Sequence, residues 1–306
     1  MPEAKSEGKQ RNQYRSHWVS LSAVTLTLAA TPLGNPGDAS DRLKRAIEET
    51  PIVAAEDSRK FHRLCADLGI DFTGRVISFF EGNEGDRTLE ILSLLKSGKS
   101  VLVVSDAGMP TISDPGYRLM RDAIEAGIDV AVLPGPSAVT TAIALSGLPT
   151  DRFVFEGFSP RASGARQKFF ESLRNEERTI LWFEAPHRLE EALRDAVAAF
   201  GKDRPAAICR EMTKTYEETI RGPLGELAKW AKENQVRGEI TMVVAGAPKN
   251  FAETSTAAIV ERVLQYEAAG MDRKTAIATV SEELSIAKRI VFAAMVDAKS
   301  TSKIST

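Results

Sequence analysis

The chain has 306 residues, 43% hydrophobic and 27% charged, with a formal net charge of -2. That length buries a sizeable core without disulfide or metal support, which suits a globular protein of one to three domains. The slightly acidic total argues against a free-standing binder of naked nucleic acid, and no apolar run approaches the ~20 residues that span a bilayer.

Residues 1–18 read as a disordered basic tail. Arg11, Arg15 and His17 ahead of residues 19–30 resemble a secretory signal, but Ser20, Ser22, Thr25 and Thr27 alternate with apolar residues as a β-strand does. The α/β fold class follows from the next stretch. Strands near 23–30, 51–55, 75–80, 100–105 and 128–133 alternate with helices near 40–49, 59–69, 86–97, 116–126 and 137–146. Such alternation implies a parallel sheet, here an N-terminal α/β domain over 19–147. The apolar runs at 101–104 and 130–133 read as strands buried on both faces. Cys65 and Cys209 lie alone in apolar-periodic segments and read as reduced core residues of a cytoplasmic protein.

A hinge at 147–152 precedes a second α/β domain over 148–248. Its strands are expected near 153–157, 179–184, 206–210, 217–220 and 239–246, with helices near 164–175, 187–199 and 223–234. Strands dominate its end, so a mixed sheet is expected. Residues 249–306 form a small helical module, with helices over 255–269, 273–284 and 285–298 and Asp272 as a cap.

Polar loops fall at the carboxyl ends of the first-domain strands, where open α/β sheets bind ligands. Thr31, Pro32, Gly34 and Asn35 follow the first strand, although Asn35-Pro36-Gly37-Asp38 also makes a plain turn. Glu56, Asp57, Ser58, Arg59 and Lys60 follow the second, with a helix cap at Ser58 as the bland alternative. Ser105, Asp106, Ala107, Gly108 and Pro110 follow the fourth and run on to Asp114-Pro115-Gly116. Pro134, Gly135, Pro136 and Ser137 follow the fifth. Glycine lets backbone approach a ligand and proline stiffens the loop around it, so these segments read as one small-molecule pocket. Asp106 sits where a ribose hydroxyl or a cation could be held. Fingerprints for a dinucleotide fold, a P-loop or a metal site are absent from the sequence.

In the second domain, Glu184-Ala185-Pro186-His187-Arg188 ends an apolar strand, with Pro186 suited to a first helical turn. Arg210-Glu211-Met212-Thr213-Lys214 ends the next strand, where an exposed ion-pair ladder is the alternative. Arg42, Lys44, Arg45, Arg59, Lys60 and Arg63 cluster early, and Arg161, Arg166 and Lys168 cluster after the hinge. Each group is either a solvated helix face or a contact for RNA.

Taken in order, T-P-L-G-N, A-E-D-S-R, S-D-A-G-M-P, D-P-G, P-G-P-S-A, E-A-P-H-R and R-E-M-T-K resemble the tetrapyrrole-methylase superfamily, in its ribosomal-RNA branch. The resemblance covers about 24–247 and continues into the helical module. It implies two α/β domains with S-adenosyl-L-methionine in the cleft between them. The cofactor would be lined by the loops already named, from Thr31 to Asn35, Ser105 to Pro110 and Pro134 to Ser137. It also implies ribose 2'-O-methylation of a cytidine in the decoding region of small-subunit ribosomal RNA. A partner of this kind would be met within the assembled 30S particle by a homodimer.

For that reaction the candidate bases are Glu184, His187, Lys214 and Asp57, and Arg59, Arg188 and Arg210 are candidates to hold RNA phosphates. The chain departs from the branch at Phe79-Phe80-Glu81-Gly82-Asn83-Glu84, where relatives carry a histidine-rich stretch. Two alternatives stay open: a methylase of corrin or porphyrin precursors, and a non-catalytic RNA-binding relative.

Overall fold

The computed structural model describes residues 24–248, 256–284, 286 and 288–302. The expected basic tail therefore lies outside the described residues. Two compact units are present: one holds the chain to Arg174 together with Arg178–Ala245, the other Asn175–Glu177 and the chain from Gly246.

The first unit contains two sheets. Strands β1 (Thr25–Ala29), β2 (Ile52–Ala55), β3 (Arg75–Ser78), β4 (Val101–Val104) and β5 (Asp129–Leu133) make a parallel sheet in the order β3-β2-β4-β1-β5. Between them lie helices α1 (Asp41–Glu49), α2 (Ser58–Leu68), α3 (Glu84–Lys96) and α4 (Tyr117–Glu125). Central strands β1, β2 and β4 are buried along their whole length, as apolar runs without alternation require in β2 and β4 and despite the alternating threonines of β1. The last run departs from expectation. Val130 and Val132 remain 37% and 44% exposed, because β5 is an edge strand with one uncovered flank.

Local chemistry sets the helix starts. The Ser40 hydroxyl accepts from the Leu43 amide at 3.0 Å and opens α1. For α2 the cap is Asp57 rather than Ser58; its carboxylate accepts from the Arg59 amide at 2.8 Å. A carboxylate one residue earlier reaches the free amides that the Ser58 hydroxyl, already inside the helix, cannot.

The second sheet has the order β6-β7-β10-β8-β9, built from β6 (Phe153–Phe158), β7 (Thr179–Glu184), β8 (Pro205–Arg210), β9 (Glu218–Pro223) and β10 (Ile240–Val244). Strands β6 and β7 are parallel and the other pairs antiparallel, so the sheet is mixed. Helices α6 (Ser163–Ser172), α7 (Leu189–Phe200) and α8 (Leu224–Glu233) enclose a core around Phe170, Trp182, Leu193, Ile208 and Met242.

Helix α5 (Ala138–Ser146) was expected to close the first domain. It packs instead on the second sheet, where Val139, Ala142 and Ile143 meet Leu181, Ala207, Cys209 and Val243. The reach of the 134–137 loop carries it across. Arg166 is a second correction. It does not face RNA, being fully buried with its guanidinium on Asp195 at 2.8 Å and Glu191 at 3.1 Å. Cys65 and Cys209 are buried free thiols, and burial pushes both up to about 11.

The second unit holds helices α9 (Thr256–Ala268), α10 (Arg273–Glu283) and α11 (Lys288–Ser302) around Ile259, Val263, Ala276, Val280, Val291 and Met295. The Asp272 carboxylate accepts from the Thr275 amide at 3.1 Å and caps α10 as expected. Residues 255, 285 and 287, placed in helices by sequence, lie outside the described residues. Among the described residues no helix is long and apolar enough to cross a membrane.

Candidate active site

Three loops of the first sheet are tied together at the carboxyl ends of β1, β4 and β5. The Thr31 amide donates to the Gly108 carbonyl at 2.9 Å and the Gly108 amide returns to Thr31 at 3.0 Å. The Thr31 hydroxyl donates to the Ser105 carbonyl at 3.2 Å, and the Ala30 amide to Leu133 at 3.1 Å. Gly108 has φ +81°, and a Cβ there would come within 3.2 Å of Leu33 and 3.8 Å of the Pro136 carbonyl. Glycine is needed on both counts.

These loops face the second sheet across a cavity of about 320 Å³. Leu33, Met109, Met212 and Ile240 give it apolar walls, and Glu56, Asp106, Asp114, Glu184 and Glu239 give it five carboxylates against the single ammonium of Lys60. A second, wider cavity of about 900 Å³ is lined by Glu81, Glu84, Arg161, His187 and Arg188. Glu56, Ser113, Asp114, Phe158 and Ala185 line both cavities and so mark their junction.

The carboxylates differ in how they are held. Asp106 accepts from Lys60 at 2.7 Å and from the Asp57 amide at 3.0 Å, so one ammonium already sits where a cation was expected. Burial raises Glu56 above the ordinary carboxylate range, against the Asp106 amide that donates to it at 3.2 Å. Burial pushes Asp114 up to about 7, and the charges of Glu56, Asp106 and Glu239 push the same way while the Ser105 hydroxyl opposes. Asp57 lies well below the usual range, because the Arg59 side chain grips both its oxygens, the closer at 2.8 Å.

On the opposite wall, Pro186 opens a 3-10 turn, Pro186–Arg188, directly after β7. Glu184 beneath it is buried and fully engaged. One oxygen accepts from the Ala185 amide at 2.9 Å and from Arg188 at 2.9 and 2.5 Å; the other accepts from the Ser159 hydroxyl. Arg188 is thereby aimed along the wider cavity, and His187 is exposed beside it. Lys214 is paired with Glu211 at 2.9 Å and Glu239 at 3.1 Å. Burial pulls its ammonium down, but the two carboxylates outweigh burial and hold it above its ordinary value. Its stem lies over Gly34, where a Cβ would come within 2.3 Å of Lys214 Cγ. Arg210 is paired with Glu218 at 2.6 Å and donates to the Arg237 carbonyl at 3.2 Å.

Of the residues singled out by sequence, Asp106, Ala107, Gly108, Ser137 and Glu184 line the main cavity. Thr31, Pro32, Asp57 and Ser105 line a small crevice beneath it. Gly34, Asn35, Pro110, Pro134, Gly135 and Pro136 shape the loops without lining it. Asn35 spends its side chain on the Gly37 amide at 2.9 Å. The sequence assigns no individual role to Glu56, Asp114, Phe158 or Glu239, although Glu56 and Asp114 sit inside segments read as part of the pocket. Four non-glycine residues with positive φ, Thr111 (76°), Ser113 (63°), Glu211 (49°) and Thr213 (66°), occur in the two loops that flank the cavity. Nothing in residue type announces that strain.

Two α/β halves whose loops enclose a mixed apolar and acidic cavity define a small-molecule-binding enzyme fold. The chain belongs to the family of tetrapyrrole (corrin/porphyrin) methylases, which it matches over residues 25–228, and is therefore a methyltransferase. It is 50% identical over 261 residues to the Mycobacterium bovis ribosomal RNA small subunit methyltransferase I, covering 85% of this chain and 90% of that protein. Among solved structures, a cobalt precorrin-4 methyltransferase superposes with TM-score 0.56 at 17% identity over 72% of this chain and 94% of that one. A Thermus thermophilus uroporphyrin-III C-methyltransferase, complexed with S-adenosyl homocysteine, gives TM-score 0.50 at 17% identity over 72% and 97%.

Proposed function

We propose that this S-adenosylmethionine-dependent methyltransferase methylates the ribose 2'-oxygen of a cytidine in the decoding region of small-subunit ribosomal RNA. The observation that carries the reading is the pair of cavities meeting at Glu56, Ser113, Asp114, Phe158 and Ala185. One is acidic with apolar walls, suited to a cationic cofactor. The other is wide and sets Arg161, His187 and Arg188 beside Glu81 and Glu84, with the two guanidinium groups suited to a phosphodiester backbone. Similarity to the mycobacterial RNA methyltransferase over most of both chains supports the same substrate class.

The residues fit the cofactor. Leu33, Met109 and Met212 offer apolar surface to an adenine, and Asp106 and Glu239 offer negative charge to a sulfonium and an ammonium. When bound, S-adenosylmethionine supplies a methyl group on a sulfur leaving group. The chain's own task is then alignment, which converts a bimolecular displacement into a step within one complex. The tied loops at Thr31 and Gly108 fix the cofactor wall. Arg188, held by Glu184, fixes the RNA, while exposed Arg59 and half-buried Arg210 remain candidates to hold further phosphates. Glu184 acts by positioning, since each of its oxygens is already occupied. His187 borders the acceptor cavity as a further candidate to contact the ribose.

The reading includes a cytoplasmic homodimer acting on the assembled small subunit, whose folded surface suits a near-neutral protein better than loose RNA. Incubation with labelled S-adenosylmethionine and small subunits lacking their ribose methylations tests it, with digestion and mass spectrometry locating the label. Label on a cytidine ribose is expected. Cofactor binding without RNA label would turn the assignment toward a small-molecule methylase.

A further inference from the structure

We infer that Asp114 is the general base that accepts the proton of the attacking ribose hydroxyl, an assignment that rests on the proposed ribose-methylation reading. Its placement comes first. Asp114 lines both cavities, so its carboxyl borders the passage through which a methyl group must move from cofactor to nucleoside. Most other carboxylates near that passage are committed to side-chain partners, while Glu56, which also borders both cavities, accepts from the Asp106 amide at 3.2 Å. Glu184 is saturated by Ser159, Ala185 and Arg188, and Asp106 holds Lys60. Asp57 is gripped by Arg59 in the crevice beneath, and Lys214 is a paired cation with no lone pair to offer.

The backbone around Asp114 adds a second, independent observation. Thr111 and Ser113 both adopt positive φ, at 76° and 63°. Such conformations cost on the order of 1–3 kcal/mol each and persist only where the surroundings enforce them. Here the strained pair lies just before Asp114, and Gly116, at φ +125°, follows it with Thr111 Cγ2 only 3.3 Å from the place of a Cβ. The loop is wound to present this carboxyl at the junction rather than to leave it in solvent.

The electrostatics then suit the role. Glu56 at the end of β2, Asp106 after β4 and Glu239 before β10 raise the Asp114 proton affinity, with Lys60 the cation among them. Glu84, His187 and Arg188 face the junction from the wider cavity. A general base works best with a pKa near the operating pH, and Asp114 at about 7 sits there. In the step, the Asp114 carboxylate takes the 2'-hydroxyl proton as the oxygen forms its bond to the methyl carbon. The sulfur–methyl bond breaks with its electron pair passing to sulfur, leaving a neutral thioether. Asp114 then returns its proton to water.

The test compares wild type with Asp114→Asn and Glu56→Gln, using S-adenosylmethionine and unmethylated small subunits across pH 5.5–9. For wild type, single-turnover rates should rise tenfold per pH unit below about 7 and then level. Asp114→Asn should lower the plateau rate about 100-fold or more and abolish that rise. Its far-ultraviolet circular dichroism should match wild type, which reports a folded protein. Glu56→Gln should shift the wild-type midpoint to lower pH, a change that a merely structural Asp114 would not transmit. The carboxyl carbon signal of Asp114, assigned by its loss in the Asn variant, should titrate near 7 in the cofactor-free protein. A plateau rate within threefold of wild type would overturn the assignment, as would loss of cofactor affinity in step with activity. Failure of the ribose reading shows separately: wild type itself would leave the cytidine ribose unlabelled, and the assignment would fall with it.

Discussion

The loop after β4 and the ledge after β7 both bring carboxylates to the cleft, and they do so in opposite ways. On the ledge, Glu184 is buried, saturated with hydrogen bonds and ion-paired to Arg188. In the loop, Asp114 keeps company with other carboxylates and sits on strained backbone. The contrast teaches that residue type does not separate a positioning acid from a reacting one. Partner count does. A satisfied carboxylate has nothing left to accept with, whereas a poorly satisfied one stores the tendency to take a proton.

The contrast can be broken most severely from the ledge. Glu184→Gln removes the charge that compensates a largely buried guanidinium, and breaking such a pair costs about 3–5 kcal/mol. Thermal unfolding should show a drop of roughly 6 °C or more, with weaker RNA binding and intact cofactor binding. An unchanged Tm would mean that the pair is not what holds the ledge. The buried Arg166–Asp195 pair is the parallel case: Arg166→Met and Arg166→Ala both strand the Asp195 charge and should destabilise, Met less than Ala because packing is kept.

From the loop, the expected effect is a gain. Because the folded state raises the Asp114 pKa from 3.8 to about 7, its stabilising contribution is present in full below pH 3.8 and is lost as pH rises through about 7. Asp114→Asn should therefore match wild type in Tm near pH 4 and exceed it at pH 8, as scanning calorimetry would record. Equal curves at both pH values would deny the carboxyl its strained environment.

Thr111→Gly relieves a β-branched residue at positive φ, so about 1 kcal/mol of added stability is expected, accompanied by slower turnover as the loop loosens. The smallest effect belongs to the surface. Arg59→Ala should leave Tm within experimental error, since exposed pairs contribute about 0–1 kcal/mol, and should lower the salt dependence of RNA binding by about one unit of slope. A collapse of turnover in that variant would place Arg59 in the chemistry instead.

Much of this molecule is legible in its sequence. Runs such as Val101-Leu102-Val103-Val104 dictate buried strands because neither face carries a polar residue, and the alternation of such runs with amphipathic segments dictates a parallel sheet. The ordered motifs identified the family and named the loops. They misjudged Val130 and Val132, since an edge and a centre strand share one composition, and they gave Arg166 to solvent because a buried pair is invisible until Asp195 arrives from another helix.

The site divides along the same line. Sequence alone determined which loops gather at the strand ends, because strand polarity and glycine–proline spacing are local properties. Only the tertiary structure decided which acid is tied and which is not. Ser159 and Arg188 converge on Glu184 from two sides of β7, and Glu56, Asp106 and Glu239 converge on Asp114 from three separate strand ends. Proton affinity is set by neighbours in space, and these neighbours lie up to 125 residues from Asp114 along the chain, the separation of Glu239.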